Sequence, residues 1–106
     1  MRTMWVGIGA VALAMTIASS AYAGETIAVA IDKIVYAPVL ISAHVGDTVE
    51  WTNKDIVAHT ATARDKEWDL MLLPGKKRSV TLKHAGTIDY YCRFHPNMVG
   101  TITVIE

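Results

Sequence analysis

Thr87-Ile88-Asp89-Tyr90-Tyr91-Cys92-Arg93-Phe94-His95-Pro96-Asn97-Met98 changes character halfway along. Its first half has period two. Ile88, Tyr90 and Cys92 share one parity and line one face of a strand, while Thr87, Asp89 and Tyr91 line the other. Cys92 therefore emerges at the strand end on the apolar side. Its second half leaves the strand, and within the seven residues from Cys92 to Met98 it gathers the chain's only cysteine, a histidine and a methionine.

Those side chains offer a thiolate, an imidazole and a thioether. Soft sulfur with imidazole suits copper, and two histidines with one cysteine in a trigonal set, completed by a weak axial methionine, make a blue-copper electron-transfer centre. The stretch lacks one histidine. His59, in Asp55-Ile56-Val57-Ala58-His59-Thr60, lies 33 positions before Cys92 and supplies it if a β-sandwich brings the two segments together.

Period-two alternation recurs outside this stretch. Ile27, Val29 and Ile31 alternate with Thr26, Ala28 and Ala30, and Asp32-Lys33 closes that strand. Tyr36-Ala37-Pro38 interrupts, because proline cannot donate to a sheet ladder, and a second strand is expected over Val39 to Ala43. His44 to Thr48 reads as a turn. Val49 and Trp51 then point inward from a half-buried strand, and Val57 to Ala63 is extended with His59 near its start. Arg64 to Gly75 is ambiguous between a helical turn and a solvated loop, with Met71-Leu72-Leu73 as an apolar loop. Val80 and Leu82 mark another strand, and Ile102 and Val104 face inward from a last one. Many short strands, turn signals and no helix of normal length give an all-β chain, an antiparallel sandwich or barrel.

The amino terminus reads as an export signal. Arg2 is followed by the uncharged apolar run Trp5 to Ala18, and Ala21-Tyr22-Ala23 fits the small-x-small cleavage pattern, so residues 1–23 are expected to be removed before Gly24. The run is short of the roughly 20 apolar residues a spanning helix needs. Export places the remaining domain, residues 24–106, in the periplasm, with no membrane attachment after cleavage. Arg2 is the only charge in the first 23 residues, so the domain keeps 9 of the 10 basic residues against 10 acidic ones, a formal charge of −1. That balance lacks the basic stripe of a nucleic-acid binder. One cysteine makes no internal disulfide, and a small exported domain then needs another source of stability, which metal ligation provides.

Val45-Gly46-Asp47-Thr48-Val49-Glu50-Trp51, Asn53, Asp55, Val57, His59-Thr60, Gly86-Thr87, Asp89-Tyr90 and Cys92-x-x-His95-x-x-Met98 together resemble the cupredoxin family. The short final loop is most similar to the amicyanin branch. The resemblance implies a Greek-key β-sandwich with one mononuclear type 1 copper near one end, and one-electron transfer instead of enzymatic turnover. Residue by residue, it places His59, Cys92 and His95 at the equatorial ligand positions and Met98 at the axial one. It further implies a monomer with redox-protein partners, a periplasmic dehydrogenase as donor and a c-type cytochrome as acceptor being the candidate pair. Two departures stand out. Thr60 follows the first ligand histidine where asparagine is common, so a bond tying the ligand segments comes from a hydroxyl or is absent. Phe94 precedes the loop histidine where proline is common, and its N–H is a candidate donor to the Cys92 sulfur.

Bland readings weigh against each ligand taken singly. Cys92 and Met98 suit a core, and His59 suits a hydrogen-bonded core histidine. Their joint placement favours the metal. A copper carrier or resistance protein is the alternative function, although an open or Met-rich site is poorly served when Met71 is the only other methionine after residue 23. A structural zinc domain is a third reading, ill-suited by thioether. His44 and His84 fall in turns and read as solvated. Lys76-Lys77-Arg78 reads as a solvated strand start, with a docking patch for an acidic partner as the sharper alternative. No Ser-His-Asp spacing, phosphate loop or His-Glu-x-x-His occurs.

Overall fold

Alternating side chains dictate strands through most of the chain, and the computed structural model, which describes residues 24–106, contains nine. They are β1 (Thr26–Asp32), β2 (Val35–Ala37), β3 (Leu40–His44), β4 (Thr48–Asn53), β5 (His59–Ala63), β6 (Asp69–Leu72), β7 (Lys77–Thr81), β8 (Gly86–Tyr91) and β9 (Val99–Ile105). The expected export signal, residues 1–23, lies outside the described residues. Among the described residues no helix is long and apolar enough to cross a membrane.

Two sheets form the sandwich, one in the order β2-β1-β4-β7 and the other β3-β9-β8-β5-β6. Most neighbours are antiparallel, and of these β1–β2, β5–β6 and β8–β9 are consecutive in the chain. Two pairs run parallel: β1 beside β4, and β3 beside β9. Both join strands distant in sequence, where no tight hairpin imposes opposite directions. The sandwich thus holds as expected, with mixed sheets in place of wholly antiparallel ones.

Parity decides which side chains enter the space between the sheets. Val29, Ile31, Val49 and Trp51 come from one sheet, while Ile41, Ala43, Ala61, Tyr90, Ile102 and Val104 come from the other; all are buried. The segment over residues 64–75 departs from the reading as loop. Leu70 and Leu72 are buried and Asp69 and Met71 exposed, so the alternation builds β6 as an edge strand, with Leu72 opposite His59.

Aromatic rings fill the middle of the core. Trp51 meets Tyr90 edge-on with centroids 5.4 Å apart and Trp68 at 5.2 Å, and Tyr36 packs on Tyr90 at 4.6 Å. Each contact adds about 0.5–1.5 kcal/mol to the area it buries. The indole N–H of Trp51 and the hydroxyl of Tyr90 are buried without a partner of normal hydrogen-bond geometry. Burial pushes the Tyr90 phenol up to about 12, against a smaller opposing pull from the Trp51 indole.

Tyr90 also explains a glycine. Gly100 sits opposite it in β9, and a methyl group added there would lie 2.4 Å from ring carbon Cζ and 2.5 Å from the hydroxyl oxygen. Gly100→Ala is therefore expected to push Tyr90 off Trp51 and destabilise the fold by roughly 1–3 kcal/mol. Urea unfolding of the two proteins, read by tryptophan fluorescence, checks this as a lowered midpoint.

Candidate metal centre

The site begins with a turn that folds around one buried amide. Asn53, at the end of β4, donates from Nδ2 to the carbonyls of Val57 (2.8 Å) and Leu72 (2.9 Å) and accepts the Asp55 N–H at 2.9 Å. This shapes residues 54–58 and delivers His59 to the first position of β5, fully buried. The carboxylate of Asp55 then meets His59 Nε2 at 2.7 Å. Since an ionised carboxylate only accepts, Nε2 carries the proton, and the bare nitrogen of the neutral ring is Nδ1. Burial raises the Asp55 carboxyl, but hydrogen bonds from the Ile34 N–H, His59 and the Lys33 N–H outweigh it and hold the group below the usual carboxylate range.

Nδ1 faces the sulfur. Cys92, fully buried just beyond β8, places Sγ 3.8 Å from His59 Nδ1 and 3.7 Å from His95 Nδ1. The three donor atoms all lie within 4.8 Å of one another. The two imidazole rings stand 5.0 Å apart, inclined at 54°. Successive turns bring His95 and Met98 back: the His95 N–H reaches the Cys92 carbonyl (3.3 Å), the Met98 N–H the His95 carbonyl (2.8 Å), and the Cys92 N–H the Met98 carbonyl (3.0 Å). Met98 is buried and His95 half-buried. A concavity of about 380 Å³ opens over them, lined by Ile34, Phe94, His95, Pro96, Asn97 and Met98.

Backbone and hydroxyl groups lock the two ligand segments together. The Thr60 N–H donates to Cys92 Sγ at 3.3 Å, and the Arg93 N–H donates to Thr60 Oγ1 at 2.9 Å. Thr60 Oγ1 is also 2.9 Å from Thr62 Oγ1, which donates to Asp69 at 2.7 Å, and Arg93 Nε reaches the same carboxylate oxygen at 3.1 Å. The Tyr36 hydroxyl donates to the Thr60 carbonyl. Burial raises the Tyr36 phenol strongly, with the neighbouring Cys92 and Tyr90 adding to the effect.

All four residues singled out from the sequence, His59, Cys92, His95 and Met98, thus fall at one end of the sandwich. Thr60 does link the ligand segments, through its hydroxyl. Phe94 does not perform the role expected for it: among the described residues the backbone donor on Cys92 Sγ is Thr60, and Phe94 sits exposed beneath the Arg93 guanidinium. Sequence reasoning gave no role to Asp55 or Tyr36, although a carboxylate four positions before a ligand histidine was a usable signal. His44 and His84 lie on the surface, beside Asp47 and Glu67.

The donors fit copper. A buried thiol that receives an N–H and two imidazole nitrogens within 4.8 Å of it and of one another, with Met98 buried at the end of the same loop, bring soft and intermediate ligands to one end of the sandwich. Comparison with known proteins agrees. A family profile described as a cupredoxin-like domain matches residues 6–104. Amicyanin from Paracoccus denitrificans is 34% identical over 93 residues, 82% of this chain and 71% of that protein. Amicyanin from Paracoccus versutus is 26% identical over 94 residues, 83% and 71% respectively. Of solved structures, a purple cupredoxin from Nitrosopumilus maritimus is similar with a TM-score of 0.69 and 29% identity, covering 74% of this chain and 98% of that one. A reduced amicyanin variant in which phenylalanine replaces a proline is similar with a TM-score of 0.66 and 35% identity, covering 74% and 81%.

Thr60 offers a direct test of the lock. Thr60→Val keeps the branched shape but removes the acceptor of the Arg93 N–H, and should cost the metal-free protein about 1–3 kcal/mol. Thr60→Ser should retain most of that stability. Chemical denaturation of the three proteins, with the exchange rate of the Arg93 amide, checks both.

Proposed function

The chain belongs to the cupredoxin-like family, close to amicyanin, and from that premise we propose that it works in the periplasm, passing single electrons between larger redox proteins. Its donor set is that of a type 1 copper site. The observation that carries the reading is the convergence of Cys92 Sγ with the Nδ1 atoms of His59 and His95. In this reading those three residues supply the equatorial donors and Met98 the axial one. When bound, copper supplies a one-electron Cu(II)/Cu(I) couple.

The protein's part is to hold its donors still. His59 is fixed by Asp55 and the end of β4, Cys92 by the Thr60 N–H, and the 92–98 loop by its own main-chain bonds. Donors held from outside the site keep their positions when the charge between them changes, so little rearranges on transfer. The Thr60 N–H moderates the negative charge on sulfur and favours the less charged Cu(I).

His95 provides the way in. Its ring is half-buried and opens toward the concavity, whose rim carries the exposed side chains of Phe94 and Ile34. Met71 and Leu73 are exposed at the same sheet end, because Leu72 between them pairs with His59. An apolar patch around an accessible ligand supports docking of a redox partner there. A dehydrogenase as donor and a c-type cytochrome as acceptor complete the proposal.

Absorption and EPR spectra of copper-loaded residues 24–106 test the assignment. An intense visible thiolate-to-copper band is expected, lost in Cys92→Ser, while Met98→Ala keeps colour and shifts the potential. Full colour in Cys92→Ser would refute it. For docking, Pro96→Glu or Met71→Lys should slow electron transfer to a c-type cytochrome without altering the copper spectrum; an unchanged rate rejects docking over His95.

Stability should follow the metal as well. Cys92 is a free cysteine, so no disulfide reinforces the domain, and a ligand that binds only the folded state stabilises it by about 4 kcal/mol at a thousand times its dissociation constant. Calorimetry should show a clearly higher melting temperature with copper than without it.

A further inference from the structure

We infer that Asp55 is a positioning residue that acts in two directions, setting the ring of His59 and holding Ile34 over the mouth of the site. The inference rests on the copper reading for its functional meaning and on geometry of the chain alone for its substance.

The turn between β1 and β2 breaks a local rule. Asp32 pairs with Val35, so Lys33 and Ile34 form a two-residue hairpin loop, and both are in the left-handed region with φ of 55° and 61°. Such a turn favours Asn-Gly. A β-branched isoleucine at positive φ is a conformational outlier, held only when its surroundings impose it.

Asp55 imposes it. Consecutive left-handed residues turn their N–H groups to one side, making a concave cradle for an anion. The Lys33 N–H donates to Asp55 Oδ1 at 2.7 Å and the Ile34 N–H to Oδ2 at 3.0 Å. Oδ2 is also the atom that accepts His59 Nε2–H at 2.7 Å. One carboxylate thereby ties a hairpin of one sheet to a ligand on a strand of the other. The His59 side chain is 0% exposed and that of Asp55 13%, so water screens this pairing little.

The strained conformation has a visible result. Ile34 is 46% exposed and lines the same concavity as Phe94, His95, Pro96 and Met98. Asn-Gly at the tip would relax the turn and remove the apolar wall beside His95. A local violation beside a site, compensated by a half-buried charge, is the pattern of a functional constraint. Asp55 accordingly keeps Nδ1 of His59 bare and aimed at Cys92, makes that imidazole a stronger donor, and sets how closely a partner approaches His95.

The test combines metal-free and metal-loaded readouts. In the metal-free chain, the nitrogen NMR shifts of His59 should report the Nε2–H tautomer, and the Lys33 and Ile34 amides should exchange slowly. Asp55→Ala should mix the tautomers and speed both amides at least tenfold. Asp55→Asn keeps the shape and loses the charge; it should weaken Cu(II) binding by about tenfold or more and raise the reduction potential. Ile34→Gly should keep the turn and change the transfer rate to a c-type cytochrome. Unchanged tautomer and exchange in Asp55→Ala overturn the positioning role. An unaltered potential in Asp55→Asn overturns its charge, and an unaltered rate in Ile34→Gly overturns the wall. If the parent chain gives no thiolate-to-copper band, the copper reading fails while the metal-free measurements still decide the role of Asp55.

Discussion

Everything at the site depends on how β5 and β8 part. The two strands pair only at Thr62–Tyr91 and Ala63–Tyr90. Beyond that point the ladder gives way to side chains: the Thr60 N–H goes to Cys92 Sγ and the Arg93 N–H to Thr60 Oγ1. A buried backbone N–H must find a partner, and here the partner is a sulfur. The opening lets two histidines approach that sulfur from the end of the sandwich, and it does so without leaving those two main-chain donors unpaired.

The remaining polar groups follow from that opening. Asn53 closes the loop that feeds His59, Asp55 fixes its ring, and Thr62, Asp69 and Arg93 extend the hydroxyl chain to the surface. The Asp69 carboxyl is held below its ordinary value, first by Thr62 against the opposing effect of burial, then by Arg93. Below this layer the core is apolar and aromatic. Tyr36 joins the two, its ring on Tyr90 and its hydroxyl on the Thr60 carbonyl. A small core without a disulfide thus positions the donors by packing against the same rings that stabilise it.

Much of this was legible in the sequence because it is local. The parity of Ile88, Tyr90 and Cys92 and the Cys92-His95-Met98 spacing lie within one strand and one loop. The Asp55 cradle was not, since its partners lie 21 and 22 residues away and are backbone amides with no side-chain signature. The parallel pairs escaped for the same reason. β6 was hidden by the charged run Arg64 to Glu67, which masked the alternation of Asp69, Leu70, Met71 and Leu72. The expectation for Phe94 failed because an available N–H need not point at the sulfur, and Thr60 already did so.

The two histidines divide opposing requirements between them. A carrier needs donors that do not move, which calls for burial and bonds from several sides, yet electrons must leave through something a partner can reach. His59 meets the first need, with no exposed surface, a carboxylate on its outer nitrogen and a strand beneath it. In the proposed reading His95 meets the second: it is held through its main chain in a tight loop, and among the described residues no protein group occupies its outer ring nitrogen. The strained Ile34 stands where these two provisions touch, bonded through its N–H to the carboxylate that fixes the inner histidine and presenting its side chain beside the outer one. Holding an apolar residue in a conformation suited to glycine makes physical sense only if the wall it forms is needed, because a relaxed polar tip would fold more easily and leave His95 open to water.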